Sequence, residues 1–234
     1  GRARGTPPAV RLALAAAALL ALFLLRWPDA LRAPFINDDY LFLDRTRGAS
    51  PFSLWGFEQL AFHWWRPWSR ETHYWLVQSV SGADPAVFHA VNAALWAACL
   101  TLWWALARRI AGASAAAWAT AACAALAAWS LPMLWVAGVQ DLWMLAWSLA
   151  ALLAWSADRR ALALAGYAMA LLSKETAALL PAVLVAYDLL LARRSWREVA
   201  ARVAPFAAVA LVWAGLHPRL GGQLWHPVVL ERVD

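Results

Sequence analysis

Two short polar stretches in a mostly apolar chain carry residue types suited to moving a proton and to holding an anion. Asn37-Asp38-Asp39-Tyr40 places adjacent carboxylates directly before the apolar Leu41-Phe42-Leu43. Neighbouring side chains on a turn point apart, so one acid can act as a general base while the other orients it or binds a cation. Ser173-Lys174-Glu175-Thr176 contains the only lysine among 20 basic residues. An ammonium beside a helix start is a natural partner for a phosphate group. Each stretch also has a plainer reading: Asn37-Asp38 as a helix cap, and Lys174-Glu175 as a loop pair whose lysine stem reaches to an interface.

Three further groups are candidates for shaping a binding site. Gly138-Val139-Gln140-Asp141 follows Pro132 at a turn, although Asp141 equally suits the first turn of a helix through its charge. Arg66-Pro67-Trp68-Ser69-Arg70 supplies two guanidinium groups able to clamp a phosphate. His89 and Asn92, three residues apart, share a helix face, where polar groups also serve to bind neighbouring helices. The five histidines (His63, His73, His89, His217, His226) have no metal-ligand spacing, so the residues by themselves point to no metal site.

The elements that must position these residues are membrane helices. With 64% hydrophobic and 15% charged residues, the chain has too little polar surface for a water-soluble domain. The formal charge of +6 falls in short arginine clusters between apolar runs, which set orientation and leave no nucleic-acid footprint. Cys99 and Cys123 sit in apolar runs as small buried hydrophobes. Seven apolar segments can be drawn, at Val10 to Leu25, Ala86 to Ala107, Ser114 to Leu131, Leu134 to Trp155, Ala161 to Leu172, Ala177 to Ala192 and Val203 to Leu216.

Arg2, Arg4 and Arg11 put the amino terminus in the cytoplasm, and the arginine pairs at Arg108-Arg109, Arg159-Arg160 and Arg193-Arg194 fall at alternate connections. On that topology 11 basic residues face three acids inside, and nine basic residues face 11 acids outside. The expected fold is all-α, a polytopic bundle of about seven transmembrane helices forming one transmembrane domain over residues 1–234. Residues 26–85 form an extracytoplasmic loop rich in Trp and Phe, with interfacial helices and rings at headgroup level. The run before Lys174 covers only about 18 Å against a hydrocarbon core of about 30 Å, which places Lys174 in a protein-lined hollow at the outer side.

Phe35-Ile36-Asn37-Asp38-Asp39-Tyr40, Arg66-Pro67, Phe88-His89 with Asn92, Gly138 with Gln140-Asp141-Leu142, and Ser173-Lys174-Glu175 with Pro181, in this order, resemble the amino-terminal half of GT-C membrane glycosyltransferases. The likeness is to bacterial relatives of the protein O-mannosyltransferases and of the transmembrane tetratricopeptide-repeat O-mannosyltransferases; the aminoarabinose lipid A transferases are more distant. It covers roughly Leu12 to Leu216. Family members have more than seven spans and often a soluble carboxy-terminal domain, so a fragment of a longer enzyme, inactive alone, is one expectation.

The resemblance implies an inverting transfer from a polyprenyl-phosphate sugar at the outer face of the bacterial inner membrane. Asp38 or Asp39 would activate an acceptor on a protein, lipid or glycan. Lys174 would hold the lipid phosphate, with Glu175, Arg66, Arg70, His89, Gln140 and Asp141 completing the substrate site. Some branches of the family use a divalent metal and others do not, which leaves a cation at Asp38 open. The alternative function is a non-catalytic membrane scaffold, or a transporter, that binds a phosphorylated lipid.

Overall fold

The computed structural model describes residues 8–57 and 60–220. Arg2 and Arg4, used above for orientation, and His226 lie outside the described residues. Among the described residues nine α-helices follow in order: α1 Pro8–Arg26, α2 Asp38–Thr46, α3 His73–Ser81, α4 Pro85–Ala124, α5 Ser130–Leu134, α6 Val139–Ser156, α7 Arg160–Leu171, α8 Leu180–Ala186 and α9 Trp196–Leu216. There is no strand among the described residues. Three helical stretches, Pro85–Ala124, Val136–Ser156 and Trp196–Leu216, are long and apolar enough to cross a membrane, and Ala17–Arg26 and Arg160–Leu171 are shorter apolar helices. The chain is built as an integral membrane protein.

Local signals explain the helix starts. Asp84 caps α4 by accepting from the Ala86 amide at 2.9 Å, with Pro85 in the first turn. Ser195 and Glu198 form a reciprocal capping box at α9, with the Ser195 amide donating to Glu198 at 2.9 Å. The 40 residues of α4 would reach about 60 Å if straight, twice a membrane core. Gly112, at φ 83° and ψ 174°, breaks it. That backbone region is open to glycine almost alone. The Trp103 indole donates to the Ala119 carbonyl at 3.3 Å, a contact 16 residues apart that only a folded-back helix can make. The second and third apolar segments are therefore the two arms of a hairpin.

Two apolar cores flank α6. One joins α1 to α5 through Trp27, Phe35, Phe42, Phe88, Trp96 and Leu142. The other joins α6 to α9 through Trp155, Tyr167, Leu184 and Phe206. Gly166 lets α7 lie against α6, since a Cβ there would stand 3.2 Å from that of Ala151. Gly138 is tighter still: its Cβ would meet the Pro132 Cα at 2.5 Å.

The described residues between 26 and 85 form several short helices, and their tryptophans do not all behave as a belt. Trp68 packs on Trp143 and Trp147, with ring centroids at 5.4 and 6.1 Å, and Trp64 and Trp65 are half-buried. Trp68 thus packs on α6, Trp64 on His217 and Trp65 on Phe57, with ring centroids 5.6 and 4.9 Å apart in the last two pairs. Beyond Lys174 the chain also departs from a regular helix: Glu175–Leu179 is a 3-10 turn, α8 follows, and Tyr187–Leu191 widens to π-helical pitch.

The charges sort to two ends. Arg26 donates to the carbonyls of Ala124 and Leu126, at 3.2 and 2.9 Å, joining the end of α1 to that of the α4 hairpin. Arg109 donates to the Ser156 carbonyl at 2.9 Å, which puts the hairpin turn beside the end of α6. At that same end Arg202 binds Asp188 and Asp158, both at 2.7 Å, and stacks on Trp155.

Gly138→Ala should lower stability by about 1–3 kcal/mol, the usual cost of forcing atoms into a packed site. Gly215→Ala, where an added Cβ meets nothing within 4 Å, should be neutral or mildly stabilising. Thermal unfolding of both variants in detergent checks this; equal melting temperatures would contradict it.

Candidate functional site

Asp38 and Asp39 open α2, and the backbone just before them is unusual. Asn37 has φ 47° and ψ −117°, a strained conformation for any residue with a side chain, and its side chain makes no capping bond. The expected helix cap is thus not formed. Instead the strained turn sends the two carboxylates in different directions. Asp39 is fully buried and accepts from the Ile36 amide at 3.0 Å, the Tyr74 hydroxyl at 2.7 Å and the Ala137 amide at 2.9 Å. Burial pushes its carboxyl above the ordinary range, opposed by those three donors. The Tyr74 phenol is pushed well above its usual value by burial and then by the nearby Asp39 charge.

Asp38 is half-exposed and lines a partly open cavity of about 190 Å³. The same cavity is lined by Arg66, Arg70, Gln140, Asp141 and Lys174. Six expected site residues from four separate stretches therefore share one hollow. Phe42, Phe62, Trp64 and Trp135 supply aromatic walls that sequence reading assigned no role in the site. Trp64 is held by two cations, with the Arg66 and Arg219 guanidinium carbons 5.1 and 4.6 Å from its ring centroid. The Trp135 indole N–H has no hydrogen-bond partner among the described residues.

The charges in the hollow come as pairs. Lys174 donates to Asp141 at 2.6 Å, so the lone lysine already has a counter-ion. Arg66 grips Glu175 with two bonds of 3.0 and 2.7 Å, and donates to Gln140 at 2.7 Å. Arg70 is buried, donates through Nε to Glu71 at 2.7 Å and through Nη2 to the Trp64 carbonyl at 2.6 Å, and sits over Phe42. In the Lys174 pair the Asp141 side chain is 41% exposed against 22% for the lysine, so the carboxylate is the partner better placed to yield to another anion. Thr176 lies in a 3-10 turn and begins no α-helix, so the expected row of helix N-terminal donors is not formed there.

Three expected residues, Asp39, Glu175 and His89, are not in the cavity lining, although Glu175 is bound to Arg66 at its edge. His89 is buried on α4 and is not part of the cavity lining. Asn92, on the same face, donates to the Pro132 and Val136 carbonyls at 2.8 and 3.2 Å and so anchors the turn that carries Gly138 and Asp141. Asp39 likewise stands behind the cavity and positions it. The pairing of Tyr74 with Asp39 was not legible in the sequence, because the two lie 35 residues apart. Among the described residues no group of three or more His, Cys, Asp and Glu is arranged to hold a metal ion.

Comparison with protein-family models, with curated proteins and with solved structures finds no match to this chain.

Two buried histidines beside it set a pH dependence. Burial lowers His73 to about 3 and His217 to about 4 from an ordinary 6.5. Between those values the unfolded chain binds a proton that the folded chain refuses, so stability falls as pH drops below 6.5. The expected loss is up to about 1.4 kcal/mol per pH unit for each group. Melting temperatures at pH 7.5 and 5 should show this slope for the wild type and a flatter one for a His73→Gln/His217→Gln variant; a flat wild-type profile would contradict the assignment.

Proposed function

We propose that the chain is a GT-C-type enzyme, an inverting glycosyltransferase that uses a polyprenyl-phosphate sugar. The observation that carries this reading is the convergence of Asp38, Arg66, Arg70, Gln140, Asp141 and Lys174 on one aromatic-walled cavity. Flat rings beside charged hydrogen-bonding groups suit a sugar ring and its hydroxyls, and the cations suit a phosphate. Seven membrane passes, with the cavity at the extracytoplasmic face of a bacterial inner membrane, accord with the hairpin in α4 and with the sorting of charges to two ends.

In this mechanism Asp38 takes the proton from an acceptor hydroxyl as that oxygen attacks the anomeric carbon. The bond from that carbon to the phosphate oxygen breaks, and the electron pair leaves with the lipid phosphate. Lys174 and Arg66 stabilise the charge that develops there. Lys174 must exchange Asp141 for phosphate as the donor enters, so the resting pair keeps the ammonium from standing uncompensated in a half-buried hollow. Asp39 holds the turn that aims Asp38 and has no direct part in the transfer.

The fully paired cations also favour a second reading, a scaffold or transporter that binds a phosphorylated lipid without turnover.

Release of polyprenyl phosphate from a panel of polyprenyl-phosphate hexoses, measured in nanodiscs, separates the roles. Asp38→Asn should lower kcat by about 10²–10⁴-fold at an unchanged melting temperature. Asp39→Asn should instead destabilise by about 1–3 kcal/mol, because its amide sets a donor against a donor. Full turnover in Asp38→Asn would reject the enzyme, and saturable donor binding without turnover in the wild type would establish the second reading.

A further inference from the structure

At the end of α7 opposite Lys174, about 18 Å away along the helix, a second cavity of about 150 Å³ opens between α7 and α9. Its donors are under-used. Arg202 is buried, with 5% of its side chain exposed, and lines this cavity. Its Nε and Nη1 are committed to Asp188 and Asp158, while Nη2 makes no hydrogen bond among the described residues. Arg160 and Ala161 line the same cavity at the first turn of α7, a 12-residue helix with no side-chain cap. The amides of that turn have no acceptor within the helix and carry the positive end of its dipole. Arg160 adds a second guanidinium at the rim, bound only at 3.4 Å to Asp158.

An acceptor is also left over. Pro205 sits inside α9 and has no N–H, so the Ala201 carbonyl, one turn before it and also at the cavity, lacks its helical partner. Leu164 and Phe206 complete apolar walls. Arg160, Arg194 and Arg202 pair here with Asp158 and Asp188, and Glu198 adds a third carboxylate near Arg194 and Arg202; Arg159, Arg193 and Arg197 lie in the same connections in the sequence, so cations outnumber acids at this end. An occupant that satisfies all of these has an anionic group for the guanidinium and amide donors, a neighbouring hydroxyl or ammonium for the free carbonyl, and an apolar remainder. The volume suits a headgroup, and α9 is one of the helices long enough to span a membrane.

We propose that this cavity binds the phosphate of an anionic glycerophospholipid at the membrane face opposite the Asp38 cavity. The site is independent of what the Asp38 cavity does. The test is native mass spectrometry of protein released from nanodiscs containing phosphatidylglycerol or phosphatidylcholine. The wild type should retain a phosphatidylglycerol adduct and little phosphatidylcholine. Leu164→Trp, which fills the cavity, and Arg160→Gln, an exposed change that folding tolerates, should each reduce the adduct at least fivefold. Undiminished phosphatidylglycerol in either folded variant overturns the proposal. So does equal retention of phosphatidylcholine, or a rise in melting temperature with millimolar inorganic phosphate as large as that with the lipid.

Discussion

The buried carboxylate of Asp39 is the constraint around which the Asp38 cavity is organised. It binds the backbone before α2, the hydroxyl of α3 and the turn that leads into α6, three elements brought from 98 residues of separation to one point. An ionisable group in such a place is costly unless it is hydrogen-bonded, and here both carboxylate oxygens are met, by three donors in all. The cost has a geometric return: with Asp39 fixed inward and Asn37 strained, Asp38 has one direction left, toward the cavity. A single helical turn thus divides two identical side chains into one that holds structure and one that meets solvent.

Pairing governs the rest of the charged groups. Around the Asp38 cavity, Lys174 with Asp141 and Arg66 with Glu175 each join α6 or the loop before α3 to the segment after α7. At the opposite end Arg202 does the same for the connections flanking α7 and α8. In a low-dielectric setting an unpaired cation is expensive, so a charged ligand has to compete with an internal carboxylate for its place. Such competition favours ligands that bring both a phosphate and enough apolar or stacking surface to offset the broken pair. A small free anion offers only the first.

Much of this was legible in the sequence where spacing and local chemistry speak. The broken span at Lys174 followed from a run too short for a bilayer, and α7 is indeed 12 residues long. The arginine pairs at alternate connections anticipated the two charged ends. What escaped were pairings set by the tertiary fold. Lys174 was read as a phosphate ligand or as the loop partner of Glu175, and its pairing with Asp141, 33 residues away, was not seen; the aromatic walls at Phe62 and Trp64 were read as a membrane belt because composition cannot tell a ring facing lipid from one facing a pocket. His89 shares a helix face with Asn92 as the spacing requires, but that face turns to the core. Gly112 carried no signal beyond being glycine, yet its backbone folds one long helix into a hairpin.

The enzyme reading stands on one juxtaposition, that of Asp38 and Lys174, which are 136 positions apart in the chain and face one small space. It is tested most directly by cross-linking an Asp38→Cys/Lys174→Cys double variant, in a Cys99→Ala/Cys123→Ala background, with a short bis-maleimide. The account predicts an intramolecular cross-link in high yield in the folded membrane-embedded protein, lost on unfolding. Labelling of both thiols by separate reagent molecules, with no cross-link formed, would contradict it.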